Sequence, residues 1–102
     1  MAKRILTLRL KRKYWEQIRD GDKPVEYRIA SDYWERRLFD SDGSAIEFDE
    51  VHLWHAYPPA EKTELRLIRA HGGTERIELT HDEFGPDAVD VFEIDISRKV
   101  AT

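Results

Sequence analysis

The chain has 102 residues, of which 40% are hydrophobic and 11% aromatic, and this predicts one globular domain over residues 1–102. Its net charge of −4 argues against nonspecific coating of nucleic acid, and the absence of cysteine excludes disulfides, thiolate nucleophiles and cysteine-based zinc sites. No apolar run approaches the roughly 20 residues that cross a bilayer, so we expect no membrane partner. The absence of cysteine suits the cytoplasm, which is the location we expect.

Charge is distributed unevenly along the chain. Residues 1–37 hold 11 of the 17 Lys and Arg residues, but only 6 of the 21 Asp and Glu residues. This asymmetry predicts either a basic face that can meet phosphate, or two halves of the chain that neutralise each other in the fold.

The start of the chain predicts a strand, a helix and a second strand. Residues 4–10 alternate leucines with polar residues, which is typical of a strand. A helix predicted over residues 11–21 ends at Gly21, and residues 24–28 predict a short strand that begins at a proline. The apolar face of this helix is formed by Tyr14, Trp15 and Ile18.

A second helix is predicted over residues 31–38. Asp32 is the expected N-cap, with Glu35 three residues later in a box-like arrangement. Trp34 and Leu38 are four residues apart and are expected to face the core.

The rest of the chain predicts mainly strands. Residues 39–50 are polar and rich in turn-forming residues, which indicates a loop. The second and third of the later strands flank "HGG", a hairpin signal. These strands are predicted over residues 51–57, 64–70, 74–79 and 89–96. The whole pattern predicts an α+β fold, a small β-barrel of five to six strands with two flanking helices.

The stretch "GDKPVEYR", residues 21–28, concentrates charge directly after the first helix. On a strand, Glu26 and Arg28 point to the same side, about 7 Å apart along the chain. If that side is buried, the two charges must pair or meet a ligand; if it faces solvent, they form a surface pair of little consequence. The pattern alone favours the solvent-facing interpretation.

The second helix offers further candidates for ligand binding. Tyr33 and Arg37 are neighbours at i, i+4 spacing, and Arg36 lies beside them. Two arginines with an aromatic ring can bind phosphate and stack on a base. Alternatively, Arg36 only forms a helix ion pair with Asp32.

The strand over residues 51–57 carries a candidate acid or base. Val51 and Leu53 are expected in the core, so His55 and Tyr57 continue the same face toward the barrel mouth. Trp54, on the opposite face, would stack on a base or cover a neighbouring loop. The alternative for His55 is a structural, half-buried histidine. The four histidines lack metal-ligand spacing, so we expect no metal and no cofactor.

Residues 8–38, "LRLKRKYWEQIRDGDKPVEYRIASDYWERRL", resemble the ASCH family of the PUA-like superfamily, and most of all its compact single-domain members from bacteria and phages. The resemblance rests on the order strand, helix, "GxKxxExR", followed by "YWxxRL", and on a strand that runs to a tyrosine. The residues that carry it are Gly21, Lys23, Glu26, Arg28, Tyr33, Trp34, Arg37, Leu38 and Tyr57.

The resemblance implies a small PUA-like barrel with a cleft lined by Lys23, Glu26 and Arg28, which binds RNA or a nucleotide. We expect a monomer or weak dimer. For a metal-independent ribonuclease-type hydrolase, the catalytic candidates are Lys23, Glu26 and His55. The candidates for binding RNA or substrate are Arg28, Tyr33, Arg36, Arg37, Trp54 and Tyr57.

Two alternative functions stay open. Some small ASCH proteins are amidohydrolases that deacetylate an N-acylated cytidine with a threonine nucleophile at the position of Glu26. A carboxylate there would form an anhydride, so Glu26 would instead activate water while Lys23 polarises the acyl oxygen of a modified nucleoside. The other alternative is a protein-interaction module without catalysis, in which the charged cluster is structural.

Overall fold

Six strands and two α-helices lie within residues 3–55 and 66–100, the residues described by the computed structural model. The predicted α+β class is confirmed. None of the helices in these two ranges is both long enough and apolar enough to cross a bilayer. In chain order the elements are β1 (Ile5–Leu10), α1 (Arg12–Arg19), β2 (Val25–Ile29), α2 (Asp32–Leu38), β3 (Glu50–His55), β4 (Arg66–Ala70), β5 (Thr74–Leu79) and β6 (Val89–Asp95).

The strands form two three-stranded sheets, with the orders β1-β3-β4 and β2-β6-β5. β1 and β3 are parallel, because two helices and β2 separate them in sequence, and the other pairs are antiparallel. β1 and β2 are therefore edge strands of different sheets. At the other edge of the first sheet, the N–H of Ala70 on β4 donates to the Arg98 carbonyl at 2.8 Å. Just after β4, the Gly72 N–H donates to the carbonyl of Asp95 on β6 at 2.9 Å.

The predicted hairpin around "HGG" is wrong, because β4 pairs with β3 and β5 pairs with β6. These three residues instead carry the chain from one sheet to the other. Gly72 passes so close to β6 that a Cβ atom there would lie 2.5 Å from the Asp95 Cγ. A glycine is therefore required at this position, because any side chain would collide with Asp95. The sequence of a hairpin turn would contain the same kind of glycine-rich stretch, so the sequence alone does not distinguish the two.

The helix ends follow local chemistry, with one correction. Gly21 follows α1 with a φ of 85°, as its predicted position after the helix requires. The N-cap of α2 is Ser31 rather than the predicted Asp32: the Ser31 hydroxyl accepts the Trp34 N–H at 3.4 Å. Asp32 lies in the first turn, where its charge favours the helix dipole.

The core lies between the sheets and the helices and confirms most of the predicted apolar faces. Trp15 also donates its indole N–H to the Leu53 carbonyl at 3.1 Å, which ties α1 to β3. Trp34, which was expected in the core, is only half-buried, and so is Tyr14, which was predicted on the apolar face of the first helix. The core cluster consists of Leu6, Leu8, Leu10, Trp15, Ile18, Leu38, Val51, Leu53, Phe92, Ile94 and Ile96.

His71, the first residue of the crossing, is held in one tautomer by its neighbours. Its Nδ1 accepts the Phe48 N–H at 3.2 Å, so Nε2 carries the proton and donates to the Thr74 hydroxyl at 3.1 Å. Burial lowers the pKa of His71, and it outweighs the opposing charges of Asp95 and Glu47. The folded protein therefore prefers a neutral imidazole at this position.

We expect acid to weaken the fold through His71. The unfolded chain takes up a proton near the ordinary histidine pKa of about 6.5, whereas the folded chain resists protonation of His71. The contribution of His71 to the free energy of unfolding is therefore complete above that pH and is lost as the pH falls below it. Urea unfolding at about pH 7.5 and pH 5.5 should show a larger fall in the free energy of unfolding for wild type than for His71→Asn, whose amide oxygen replaces Nδ1 as acceptor. An equal fall in both proteins would contradict this role.

Candidate functional site

A cleft of about 330 Å³ lies between the edge strands β1 and β2. The two helices and the segment after β5 complete its walls. The lining residues are Arg9, Leu10, Lys11, Tyr14, Lys23, Glu26, Tyr27, Arg28, Ile29, Trp34, His81 and Phe84. The cleft thus combines cations, one carboxylate and aromatic rings.

A buried carboxylate forms the floor of this cleft. Glu26 is only 6% exposed, and its Oε1 lies 2.5 Å from the Lys23 Nζ, while its Oε2 lies 2.8 Å from the Arg28 Nη2. The Tyr27 N–H donates to the same Oε1 at 3.1 Å. The solvent-facing interpretation of Glu26 and Arg28 is therefore wrong, and Lys23 and Arg28 of "GxKxxExR" each contact Glu26.

Local backbone geometry brings Lys23 to Glu26. After Gly21 the chain folds back on α1, and the N–H groups of Asp22 and Lys23 both donate to the Gln17 carbonyl, at 2.8 and 3.2 Å. Pro24 then begins the pairing with β6, since its carbonyl accepts the Ile96 N–H at 3.0 Å. Lys23 is thereby fixed at the point where the helix end meets the new strand.

Arg28 connects the edges of the two sheets. Its Nη2, besides contacting Glu26, donates to the Arg9 carbonyl on β1 at 2.9 Å. The guanidinium carbon lies 5.1 Å from the centre of the Trp34 ring, a cation–π contact. Among the described residues, no group bonds to the buried Nε of Arg28, which leaves a donor at the cleft wall.

Aromatic rings lie around the ammonium group of Lys23. The Lys23 Nζ lies 5.3 Å from the Tyr14 ring centre and 5.8 Å from that of Tyr27. The His81 ring lies 6.2 and 6.3 Å from the same two tyrosines, and 5.8 Å from Phe84. These flat side chains give the cleft surfaces on which a planar ligand can stack.

The cleft carries more positive than negative charge, although the chain as a whole is acidic. Among the described residues, its lining holds four cationic side chains, those of Arg9, Lys11, Lys23 and Arg28, and one carboxylate, that of Glu26. All of these belong to the basic first 37 residues. Of the two explanations for the uneven charge, the basic face that can meet an anion is the one that this arrangement favours.

The predicted residues of β3 do not join Glu26. His55 is half-buried, its ring centre lies 6.2 Å from that of Trp15, and it does not line the cleft. Trp54 lies between two guanidinium groups, with its ring centre 4.9 Å from Arg9 and 4.6 Å from Arg66. Tyr57 lies outside the residues that the structure describes.

The predicted ligand-binding residues of α2 lie on its solvent-exposed side. Tyr33 is 56% exposed, and the Arg37 guanidinium lies 4.6 Å from its ring centre, as their spacing predicted. Arg36 lines a separate cavity together with Asp32 and Glu35. These three candidates are therefore not brought to the cleft, whereas Trp34 of the same helix lines it.

Sequence reasoning missed nine of the twelve described residues that line the cleft: Arg9, Leu10, Lys11, Tyr14, Tyr27, Ile29, Trp34, His81 and Phe84. Helical spacing had placed Tyr14 on the apolar face of the first helix and Trp34 in the core, and such spacing does not show where an apolar face ends. For His81 and Phe84 the only signal was a histidine and an aromatic residue in a short loop, and their meeting with Lys23 is a long-range contact.

Comparisons of the chain with models of protein families, with curated proteins and with solved structures find no match. Among residues 3–55 and 66–100, no group of three or more His, Asp or Glu side chains is placed to hold a metal ion.

We expect Glu26→Gln to destabilise the fold strongly. Glutamine keeps the shape of the side chain but removes the carboxylate that contacts both cations, so Lys23 and Arg28 lose this counter-charge in a largely buried place. Breaking such a pair costs about 2–4 kcal/mol, to be measured by urea denaturation.

The matched control is Asp90→Asn. Asp90 pairs with Arg76 at 3.1 Å, but their side chains are 54% and 56% exposed. Solvent screens such a pair, so its loss should change stability little. Equally small effects of the two substitutions would contradict a structural role for the buried carboxylate.

Proposed function

We propose that the chain is an ASCH domain whose cleft binds RNA or a free nucleotide, one nucleotide unit at a time. The base would lie between the aromatic walls, and its phosphate would meet the cations. The observation that carries this proposal is the carboxylate of Glu26, held between Lys23 and Arg28 on the floor of an aromatic cleft with excess positive charge.

The size and chemistry of the cleft support a single nucleotide unit. Its volume of about 330 Å³ is at the lower end of the range for small-molecule sites, which begins at roughly 300 Å³. Tyr14, Tyr27 and Trp34 offer ring faces for stacking, while Arg28 offers donors that match phosphate or base oxygens. The ion pairs with Glu26 fix both cations before a ligand arrives, which lowers the entropic cost of binding.

The proposal includes the PUA-like barrel. Support comes from the arrangement of the sheets: β1 and β2 approach each other at the cleft, where Arg28 bonds across to the Arg9 carbonyl. On the other side, the Gly72–Asp95 hydrogen bond joins the end of one sheet to the other. The cleft would then be the mouth of a small barrel.

A second candidate function is hydrolysis without a metal, and the direct contact between Lys23 and Glu26 favours it. Glu26 would accept a proton from water or a ribose hydroxyl, and Lys23 would stabilise the negative charge that develops on the acyl or phosphoryl oxygen. Of the two bases considered from the sequence, only Glu26 lines the cleft, so no step is assigned to His55.

We expect Arg28→Gln and Lys23→Gln to weaken the binding of nucleoside 5′-monophosphates and of short RNA by about tenfold or more, because each removes a charge-assisted hydrogen bond. Isothermal titration calorimetry measures this directly. Arg76→Gln is the control, since Arg76 lies on β5 and pairs with Asp90 at 3.1 Å, outside the cleft lining. Unchanged affinity in stably folded Arg28 and Lys23 variants would show that the cleft is not the nucleotide-binding site.

For the hydrolytic function, we expect slow turnover of an N-acylated cytidine or of RNA that persists in EDTA. Lys23→Gln and Glu26→Gln should each abolish it, because charge stabilisation and proton transfer are both needed, while His55→Gln should retain it. Product formation is followed by chromatography. Turnover that survives both cleft substitutions would assign the chemistry elsewhere, and binding without any turnover would leave a binding domain.

A further inference from the structure

The open edge of β2 faces the cleft with its main chain as well as with its side chains. Among the described strands, β2 pairs with β6 alone. Along an antiparallel pair, every second residue directs its N–H and C=O groups at the partner strand, and the residues between direct theirs away from it. Two hydrogen bonds fix this alternation: the Ile96 N–H donates to the Pro24 carbonyl, and the Ala30 N–H donates to the Asp90 carbonyl, both at 3.0 Å. The even-numbered residues of β2 therefore bond to β6, and the main-chain groups of its odd-numbered residues point to the open edge.

Tyr27 and Ile29 are the odd-numbered residues of β2 that line the cleft. The Tyr27 N–H donates to the Glu26 Oε1 at 3.1 Å, and the Ile29 carbonyl accepts the Ser31 N–H at 2.8 Å. Neither these two bonds nor the pairing with β6 uses the Tyr27 carbonyl or the Ile29 N–H. The edge thus presents one acceptor and one donor, on either side of Arg28.

This acceptor and this donor lie side by side between two layers of side chains. In an extended strand, the C=O of one residue and the N–H of the residue two positions later point the same way. Because side chains alternate, those of Tyr27 and Ile29 lie on one side of this edge and that of Arg28 lies on the other, and all three line the cleft. A flat ring that bonds to both main-chain groups in the plane of the strand is therefore covered on both of its faces.

The hydrogen bonds that are already formed favour such a ring over a peptide strand. A strand that adds to a sheet edge needs both the N–H and the C=O of the same edge residues. Here Glu26 already holds the N–H of Tyr27, and Ser31 already holds the carbonyl of Ile29. A nucleobase needs only one donor and one acceptor, and each standard base presents such a neighbouring pair on its Watson–Crick edge.

We propose that the Tyr27 carbonyl and the Ile29 N–H bind the Watson–Crick edge of the nucleobase in the cleft. This inference rests on the proposed function, because it concerns the base of the same nucleotide. It makes an unpaired base the required ligand, since this edge of a base is occupied in a duplex. The side chains of the cleft then bind the phosphate and the faces of the base, while the main chain of β2 binds its edge.

Backbone amide NMR of the wild type tests this contact during a titration with each of the four nucleoside 5′-monophosphates. At saturation, exchange of the Ile29 amide with water should slow by about fivefold or more, because the amide changes from an open edge to a bound acceptor. The Val25 amide lies on the same strand but outside the cleft lining, and its exchange should not change. Saturable binding with unaltered Ile29 exchange would overturn the inference.

Two methylated ligands separate this edge from the rest of the base. In 3-methyluridine 5′-monophosphate the N–H of the Watson–Crick edge is replaced, whereas in 5-methyluridine 5′-monophosphate the methyl group lies away from that edge. Relative to uridine 5′-monophosphate, the first should bind about fivefold or more weakly and the second about equally, as measured by calorimetry. Equal affinities of the two methylated ligands would contradict a contact with this edge.

The substitution Ile29→Pro removes the donor from the protein. The Ile29 N–H takes no part in the pairing with β6, so a proline at this edge position leaves the hydrogen bonds of the sheet in place. Ile29→Pro should bind the monophosphates about fivefold more weakly than Ile29→Val, which keeps the N–H. Equal affinity of the two folded variants would overturn the inference, and the wild-type tests stand even where the proline variant does not fold.

Arg28→Gln separates this inference from the function on which it rests. If Arg28→Gln weakens binding as expected, but Ile29 exchange and the methylated ligands show no effect, the base does not bind β2 and the proposed function stands. If no monophosphate binds, or if Arg28→Gln leaves affinity unchanged, the proposed function fails and this inference fails with it.

Discussion

The site depends on one constraint: a carboxylate that is largely removed from water must be neutralised and hydrogen-bonded where it lies. Glu26 meets this requirement through Lys23 on one oxygen and Arg28 on the other, with the Tyr27 N–H as a third donor. The same contacts hold both cations in place at the floor of the cleft. A structural necessity of the fold thereby creates a pre-organised charged surface.

The arrangement of the sheets decides where this surface is located. β1 and β2 are edge strands, and an edge normally presents unpaired backbone groups that proteins need to cover. Here Arg28 spans the gap by bonding to the Arg9 carbonyl, and Trp34 covers its guanidinium. The gap between the edges becomes a lined cleft, and Arg9 lines it from β1, with its guanidinium 4.9 Å from the centre of the Trp54 ring.

Local patterns in the sequence predicted the elements, but not how distant elements meet. Alternation and helical spacing identified six strands and two helices, whereas "HGG" gave the same signal for a hairpin as for the crossing that Gly72 makes beside Asp95. Strand parity placed Glu26 and Arg28 on one side, yet nothing local shows whether that side is covered. The position of His81 in the cleft was not predicted either, because it depends on contacts with residues that are distant in the sequence.

Side-chain NMR of the arginines and lysines during a titration with nucleoside 5′-monophosphates shows whether the cations held by Glu26 bind a nucleotide. We expect saturable shifts of the Arg28 Nε–H and Lys23 Nζ signals, since the first is a buried donor without a partner in the described structure and the second lies among the cleft's aromatic rings. The Arg76 signals should stay unchanged. Saturable shifts elsewhere, with Lys23 and Arg28 unaffected, would contradict this expectation.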